Sequence, residues 1–196
     1  MYYRSILSML SLCMVLISPN ALAYDWGWGL KLGAMSGQER KDLNRVVFIQ
    51  AGGDKILIPS LRVKIDEKEY VNLGFSYTGS IFDLGTSEID FSTTWAEAQY
   101  EKFFKRYSIF GGLTYHFNTK IQISNQDVVP DFKFKNGAGV VIGAGYKFTE
   151  KFGVGVRARF VEYKRDGLPA LNDRNGESID NLDGSSYGVF LEYVSN

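Results

Sequence analysis

The sequence predicts an all-β chain that closes into an eight-stranded antiparallel up-and-down transmembrane β-barrel behind a cleavable N-terminal signal peptide. Three observations lead there. Segment after segment alternates bulky apolar residues with small or charged ones at the period of a strand. The small face also carries lysine and arginine, so the bulky face is the one that suits lipid. Phenylalanine (14) and tyrosine (12) are plentiful, glycine reaches 21 and proline only 4, a composition of strands and turns.

Residues 1–23 form the leader. Arg4 gives it a positive end, residues 6–17 an apolar run too short to span a bilayer, and Ala21-Leu22-Ala23 a small-x-small site for cleavage before Tyr24. Cys13 lies within that run, after Leu12, in a context unsuited to lipidation. Residues 24–196 then make one barrel domain with no disulfide framework and no thiol chemistry. Cleavage takes Arg4 from the 22 basic residues, leaving 21 against 22 acidic ones, and this balance argues against nucleic acid as a partner.

The first segment, 26–36, sets Trp26, Trp28, Leu30, Leu32 and Ala34 against Gly27, Gly29, Lys31 and Gly33. The second, 55–65, sets Leu57, Leu61, Val63 and Ile65 against Ser60, Arg62 and Lys64. After Asp66-Glu67-Lys68-Glu69 the third turns Val71, Leu73, Phe75 and Tyr77 outward and Asn72, Gly74 and Ser76 inward. The fourth, 90–101, is the least regular, with Ala96, Ala98 and Tyr100 opposite Glu97, Gln99 and Glu101.

The fifth begins near Tyr107 and alternates Ile109, Gly111, Leu113, Tyr115 and Phe117 with Ser108, Phe110, Gly112, Thr114 and His116. The sixth, the clearest, sets Val140, Ile142, Ala144, Tyr146 and Phe148 against Gly139, Val141, Gly143, Gly145 and Lys147. The seventh sets Phe152, Val154, Val156, Ala158 and Phe160 against Gly153, Gly155, Arg157 and Arg159. The eighth, 185–194, has Tyr187, Val189, Leu191 and Tyr193 outward and Ser186, Gly188, Phe190 and Glu192 inward.

Connections after the second, fourth and sixth segments are short and the others mostly longer, the asymmetry of periplasmic turns and outer loops. Aromatics should therefore gather at two levels, since their rings favour a water–lipid boundary. Trp26, Trp28, Tyr100, Tyr107, Tyr146, Phe148, Phe152 and Tyr193 form the expected inner girdle, and Tyr77, Tyr115, Phe117, Phe160 and Tyr187 the outer one. Val46-Val47-Phe48-Ile49-Gln50 resembles a strand that pairs with 55–59 across Gly52-Gly53, a flap of the first loop too short to cross a membrane. A soluble barrel with its apolar face inside would leave Gly27, Gly143 and Gly153 on a wet surface for no benefit, whereas a narrow lumen needs them opposite long cations.

Charges inside such a lumen must pair, because an unpaired one costs several kcal/mol. Lys31, Arg62, Glu97, Arg157, Arg159 and Glu192 are the expected structural ion cluster, with Lys64 and Glu101 also inward. Glu192 is expected to bridge Arg157 and Lys31, since the seventh, eighth and first strands become neighbours on closure. A structural plug and a gated polar pathway both fit such a cluster.

His116, the lone histidine, sits in Tyr115-His116-Phe117-Asn118 with no serine or acidic partner at triad spacing, so a structural role fits better than catalysis. One histidine without cysteine is a poor metal set, and no cofactor is expected. The Asp- and Asn-rich stretch 165–184 has Leu171 and Leu182 where an EF-hand loop needs its first ligand and its bidentate glutamate, which leaves a solvated loop. Lys120-Ile121-Gln122-Ile123 and Phe132-Lys133-Phe134-Lys135 still alternate, as the stem of a loop or as a protruding edge that could recruit a strand.

The run Gly137-Ala138-Gly139-Val140-Val141-Ile142-Gly143-Ala144-Gly145-Tyr146 and the closing Tyr187-Gly188-Val189-Phe190-Leu191-Glu192-Tyr193 complete the pattern. In these features and its leader the chain resembles small outer-membrane barrels of the OmpA-domain, OmpX and Ail type over nearly all its mature length. That resemblance implies a monomeric, non-enzymatic protein of the outer membrane, inserted by the barrel-insertion machinery, held by outer-membrane lipid, and using its loops for surface interaction or adhesion. A small pore and a barrel enzyme acting on outer-membrane lipid are the alternatives. Inward arginine and glutamate speak against the pore, and the missing His–Ser pairing against the enzyme.

Overall fold

Strand β1 (Trp26–Arg40) starts the wall with the Trp-Gly-Trp-Gly alternation, and β3 (Asp54–Asp66), β4 (Glu69–Asp83), β5 (Glu88–Phe104) and β6 (Tyr107–Ser124) follow as antiparallel neighbours. β8 (Gly137–Lys147), β9 (Phe152–Lys164) and β11 (Ser186–Val194) complete it. β11 returns to β1 with Leu32 opposite Leu191 and Ala34 opposite Val189, closing the eight-stranded ring. The short β2 (Ile49–Ala51), β7 (Asp131–Lys133) and β10 (Asn181–Asp183) decorate one end. This computed structural model describes residues 25–40, 49–51, 54–83, 88–124, 131–167 and 180–195. The proposed leader, residues 41–48 and residues 168–179 of the last loop lie outside the described residues.

The wall is inside-out relative to a water-soluble barrel. Leu32, Leu57, Phe75, Ile109, Ile142, Val156 and Leu191 are exposed, and Leu113 is 68 % exposed at the middle of β6. Burying that surface requires lipid, because no aqueous domain leaves so continuous an apolar band bare. The two aromatic levels frame it. At the short-turn end Trp28 meets Tyr193 at 5.1 Å, Tyr193 meets Phe152 at 5.1 Å and Phe152 stacks on Phe148 at 6.4 Å. Tyr107 meets Tyr146 at 5.1 Å on the same belt, and exposed Trp26 and Tyr100 extend it. At the other end Tyr77, Tyr115, Phe160 and Tyr187 are exposed and Phe117 packs against Phe75 at 6.0 Å.

Several details differ from the sequence expectation. The fifth predicted strand carries on through 120–123, as the alternation there allows, but in the opposite phase. β6 runs to Ser124 by inserting an extra residue at Asn118, whose φ of +55° accommodates a bulge, while the β5 register shifts between Ser92 and Thr94. The bulge changes parity, so Thr119 and Ile121 point inward after His116. β5 keeps one inward column from Phe91 through Thr93 and Trp95 to Phe103, more regular than its sequence suggests.

The flap also pairs otherwise than expected. Residues of β2 lie against β1, with Gln38 opposite Ala51 and Arg40 opposite Ile49, rather than against 55–59. The physical reason is register: β2 continues β3 along the same edge of β1 and in the same register, Gln38 opposite Ala51 as Met35 is opposite Asp54, and residues 52–53 between them lie outside the described residues. The 132–135 stem is no free edge. β7 pairs with β6, the Lys135 amide donates to the Lys164 carbonyl at 2.7 Å, and the Asp166 amide donates to the Lys133 carbonyl at 2.8 Å. One weak seam exists in the wall. The β3–β4 ladder ends with Ser60 opposite Gly74, next to Pro59, which has no N–H to give, and the Ser76 hydroxyl donates to the Leu57 carbonyl at 2.8 Å instead.

Candidate functional site

The inward faces of the strands line the lumen in layers of different chemistry. Nearest the short turns, Arg62 on β3 meets Glu101 on β5 at 3.3 Å, and Glu101 accepts from the Asn72 amide at 3.0 Å. Next, Lys31 lies 3.7 Å from Glu192, donates to Gln99 at 3.2 Å, and stands 4.7 Å above the Phe110 ring. Phe110, Val141 and Phe190 form the apolar floor of this layer. Glycines make the room: a Cβ on Gly143 would collide with Phe110, and one on Gly155 with Phe190.

The middle of the lumen is organised by Glu97. It accepts from Arg157 at 2.6 Å across the barrel, from the Trp95 indole at 3.3 Å, and from the Gln99 amide. Arg157 is 2 % exposed and Glu97 6 %, so the pair exchanges hydration for these bonds alone. The expectation that Glu192 bridges Arg157 and Lys31 is thus met for Lys31 only. Arg157 lies opposite Gly188 on β11, four residues from Glu192, or about 13 Å along a strand, and reaches the facing wall instead. Arg62 likewise joins Glu101 rather than the central group.

Arg159 departs further from the expected cluster. It is fully buried with its guanidinium 4.4 Å from the Trp95 ring centroid, in a layer that is mainly aromatic. Trp95 stacks on His116 at 5.7 Å, His116 Nδ1 is 2.8 Å from the Tyr163 hydroxyl, and its Nε2 is 3.2 Å from the Thr114 hydroxyl. Both ring nitrogens of His116 are therefore held by neutral hydroxyls, with no carboxylate hydrogen-bonded to it among the described residues, and its ring is fully enclosed. Met35, Ile56 and Ile58 pack with Trp95 on one side, and Phe91 and Phe134 meet Tyr163 at 6.0 and 6.4 Å on the other. Thr93 and Thr119 share a hydrogen bond of 2.8 Å in the same zone.

Sequence reasoning missed this aromatic layer. Its members are spread over β1, β3, β5, β6 and β9, with Phe134 just past β7, and most of them alone look like ordinary apolar strand residues. The available signal was parity: Trp95 shares the face of Glu97, and Tyr163 that of Arg159.

The arrangement can exclude water, hold charges in fixed geometry and stiffen the wall. Among the described residues no group of three or more His, Cys, Asp or Glu side chains could hold a metal ion.

No protein-family model matches the chain, and no curated protein does. Solved structures do. The crystal structure of Ail, the attachment invasion locus protein of Yersinia pestis, superposes with a TM-score of 0.54 at 11 % identity, covering 88 % of this chain and 97 % of that one. The same protein in complex with the heparin analogue sucrose octasulfate gives 0.51 at 12 % identity over 88 % and 97 %. Its backbone structure in a phospholipid bilayer nanodisc gives 0.50 at 12 % identity over 87 % and 100 %. The chain has the fold of the small outer-membrane β-barrels.

Proposed function

We propose that this protein is a non-enzymatic, monomeric resident of the outer membrane whose filled barrel anchors four outer connections that bind a ligand at the cell surface. The observation that supports the reading is the lumen: Glu97–Arg157 and the Trp95–His116–Tyr163 layer occupy successive levels of an eight-stranded ring, a size that side chains can fill. Energy spent on packing the middle of the lumen suits an anchor. The long-loop end supports the same reading, because β5 and β6 span 17 and 18 residues against 9 for β11. At about 3.3 Å per residue and the usual tilt, their ends stand well clear of an apolar band about 25 Å tall.

In this reading residues 1–23 direct export and are removed, the short turns face the periplasm, and insertion depends on the barrel-assembly machinery. Ail, a barrel of the same fold, is described as an attachment protein and has been seen with a sulfated heparin analogue, which makes a host-surface polymer or protein a reasonable first class of ligand. Cells displaying the wild-type protein or a barrel with all four outer connections trimmed are compared for binding to immobilised matrix proteins and sulfated polysaccharides. We expect binding above the vector control for the wild type alone. Equal binding by the trimmed barrel, or none by either, refutes the anchor reading.

A further inference from the structure

The short-turn end of the lumen is not packed like the outer end. Beside Arg62, Lys64, Tyr70 and Lys147 lies a chamber of about 200 Å³, many times what one water needs. Tyr70 and Lys147 also border a wider recess of about 560 Å³ that leads past Phe103 to the Lys105-Arg106 turn. Arg62 is 4 % exposed, yet its Nη1 and Nη2 have no hydrogen-bond partner. Its approach to Glu101 is an ion pair at 3.3 Å without hydrogen-bond geometry, and that carboxylate already serves Asn72.

Aromatic faces flank both cations. The Arg62 guanidinium lies 3.9 Å from the Tyr70 ring centroid, which fixes its plane and leaves its edge for a ligand. Lys147 Nζ stands 4.6 Å from the Phe103 ring, and its one hydrogen bond reaches the Glu150 carbonyl at a long 3.4 Å. Arg62, Lys64 and Lys147 meet Asp25 on the chamber wall and Glu101 behind Arg62. Three positive charges against two leave one, the charge of a phosphate monoanion. A buried guanidinium edge without acceptors costs free energy that a bidentate oxyanion would recover.

We infer that this chamber is a blind anion well, entered from the short-turn mouth, that takes the phosphate group of a small solute on Arg62 with Lys147 and Lys64 completing its charge. The Lys31 and Phe110–Phe190 layer stands deeper in the lumen and outside the chamber's lining, and the chamber acts as a binding site and not a passage. It operates whether or not the outer connections bind anything, and its test involves neither the loops nor cells.

The test is calorimetric titration of inorganic phosphate into the refolded protein in neutral micelles, at constant ionic strength in chloride. One saturable site is expected, with at least tenfold preference over acetate. Lys147→Gln removes a cation that is in no ion pair among the described residues, and Arg62→Lys keeps the charge while losing the fork. Each is expected to weaken phosphate at least tenfold, with heat-modifiable electrophoretic mobility confirming a folded barrel. If Arg62→Lys fails to fold, Lys147→Gln decides. Absence of saturable binding by the wild type, unchanged affinity in Lys147→Gln, or acetate binding as tightly as phosphate overturns the proposal.

Discussion

Replacing Glu97 by glutamine keeps the shape of the side chain and removes the charge that four donors share. Arg157 contributes two of those contacts, at 2.6 and 3.4 Å, and the Trp95 indole and the Gln99 amide supply the others. Two unit charges about 4 Å apart attract by about 4 kcal/mol at an effective dielectric constant near 20. Stranding the buried Arg157 should therefore cost about 3–5 kcal/mol, in line with broken buried pairs elsewhere.

The pair itself should be worth far less than either break, because forming it desolvated both groups. The double variant Glu97→Leu with Arg157→Met should thus recover most of the loss. Equilibrium urea unfolding of refolded protein in liposomes, followed by tryptophan fluorescence, measures Glu97→Gln and the four corners of the cycle: wild type, Glu97→Leu, Arg157→Met and their combination. The reasoning is refuted if Glu97→Gln costs less than about 1 kcal/mol, or if the double variant loses the sum of the two singles.

Other outcomes follow from individual contacts. Gly143→Ala should destabilise by about 1–3 kcal/mol because its new methyl meets Phe110, while Gly111→Ala, whose nearest neighbour would be 3.8 Å away, should be neutral or gain about 0.5–1 kcal/mol; parallel urea titrations compare them. Tyr163→Phe should cost about 1–3 kcal/mol by leaving His116 Nδ1 without its partner in a dry layer, and a value near zero in the same assay contradicts that bond. Leu113→Arg should cost about 2–4 kcal/mol in liposomes, since that exposed position lies mid-band; a stabilising effect, as on a wet surface, would place β6 outside lipid.

The outer face was legible in the sequence and much of the inner face was not. Lipid imposes one rule on every outward position, so the alternation of Trp26 to Ala34 or Phe152 to Phe160 reads directly as wall, and both aromatic belts follow from it. Ladder neighbours can also be inferred, which is why Lys31 and Glu192 were matched across the closing seam. Contacts across the lumen depend on tilt and stagger, which no local pattern encodes. Arg157 and Glu97 come from facing walls, and Arg62 meets Glu101 across the width of β4, where Asn72 stands between their strands. The bulge at Asn118 adds a second obstacle, because one inserted residue reverses the faces of everything beyond it.

Single-channel recording in planar bilayers tests the filled lumen most directly. With the refolded wild type inserted, we expect no steps above the bare-membrane level in molar potassium chloride, because the Glu97–Arg157 pair and the Trp95–His116–Tyr163 layer block the path. A steady ohmic channel, appearing with each inserted molecule and lasting at low voltage, would contradict the anchor account and make the protein a pore.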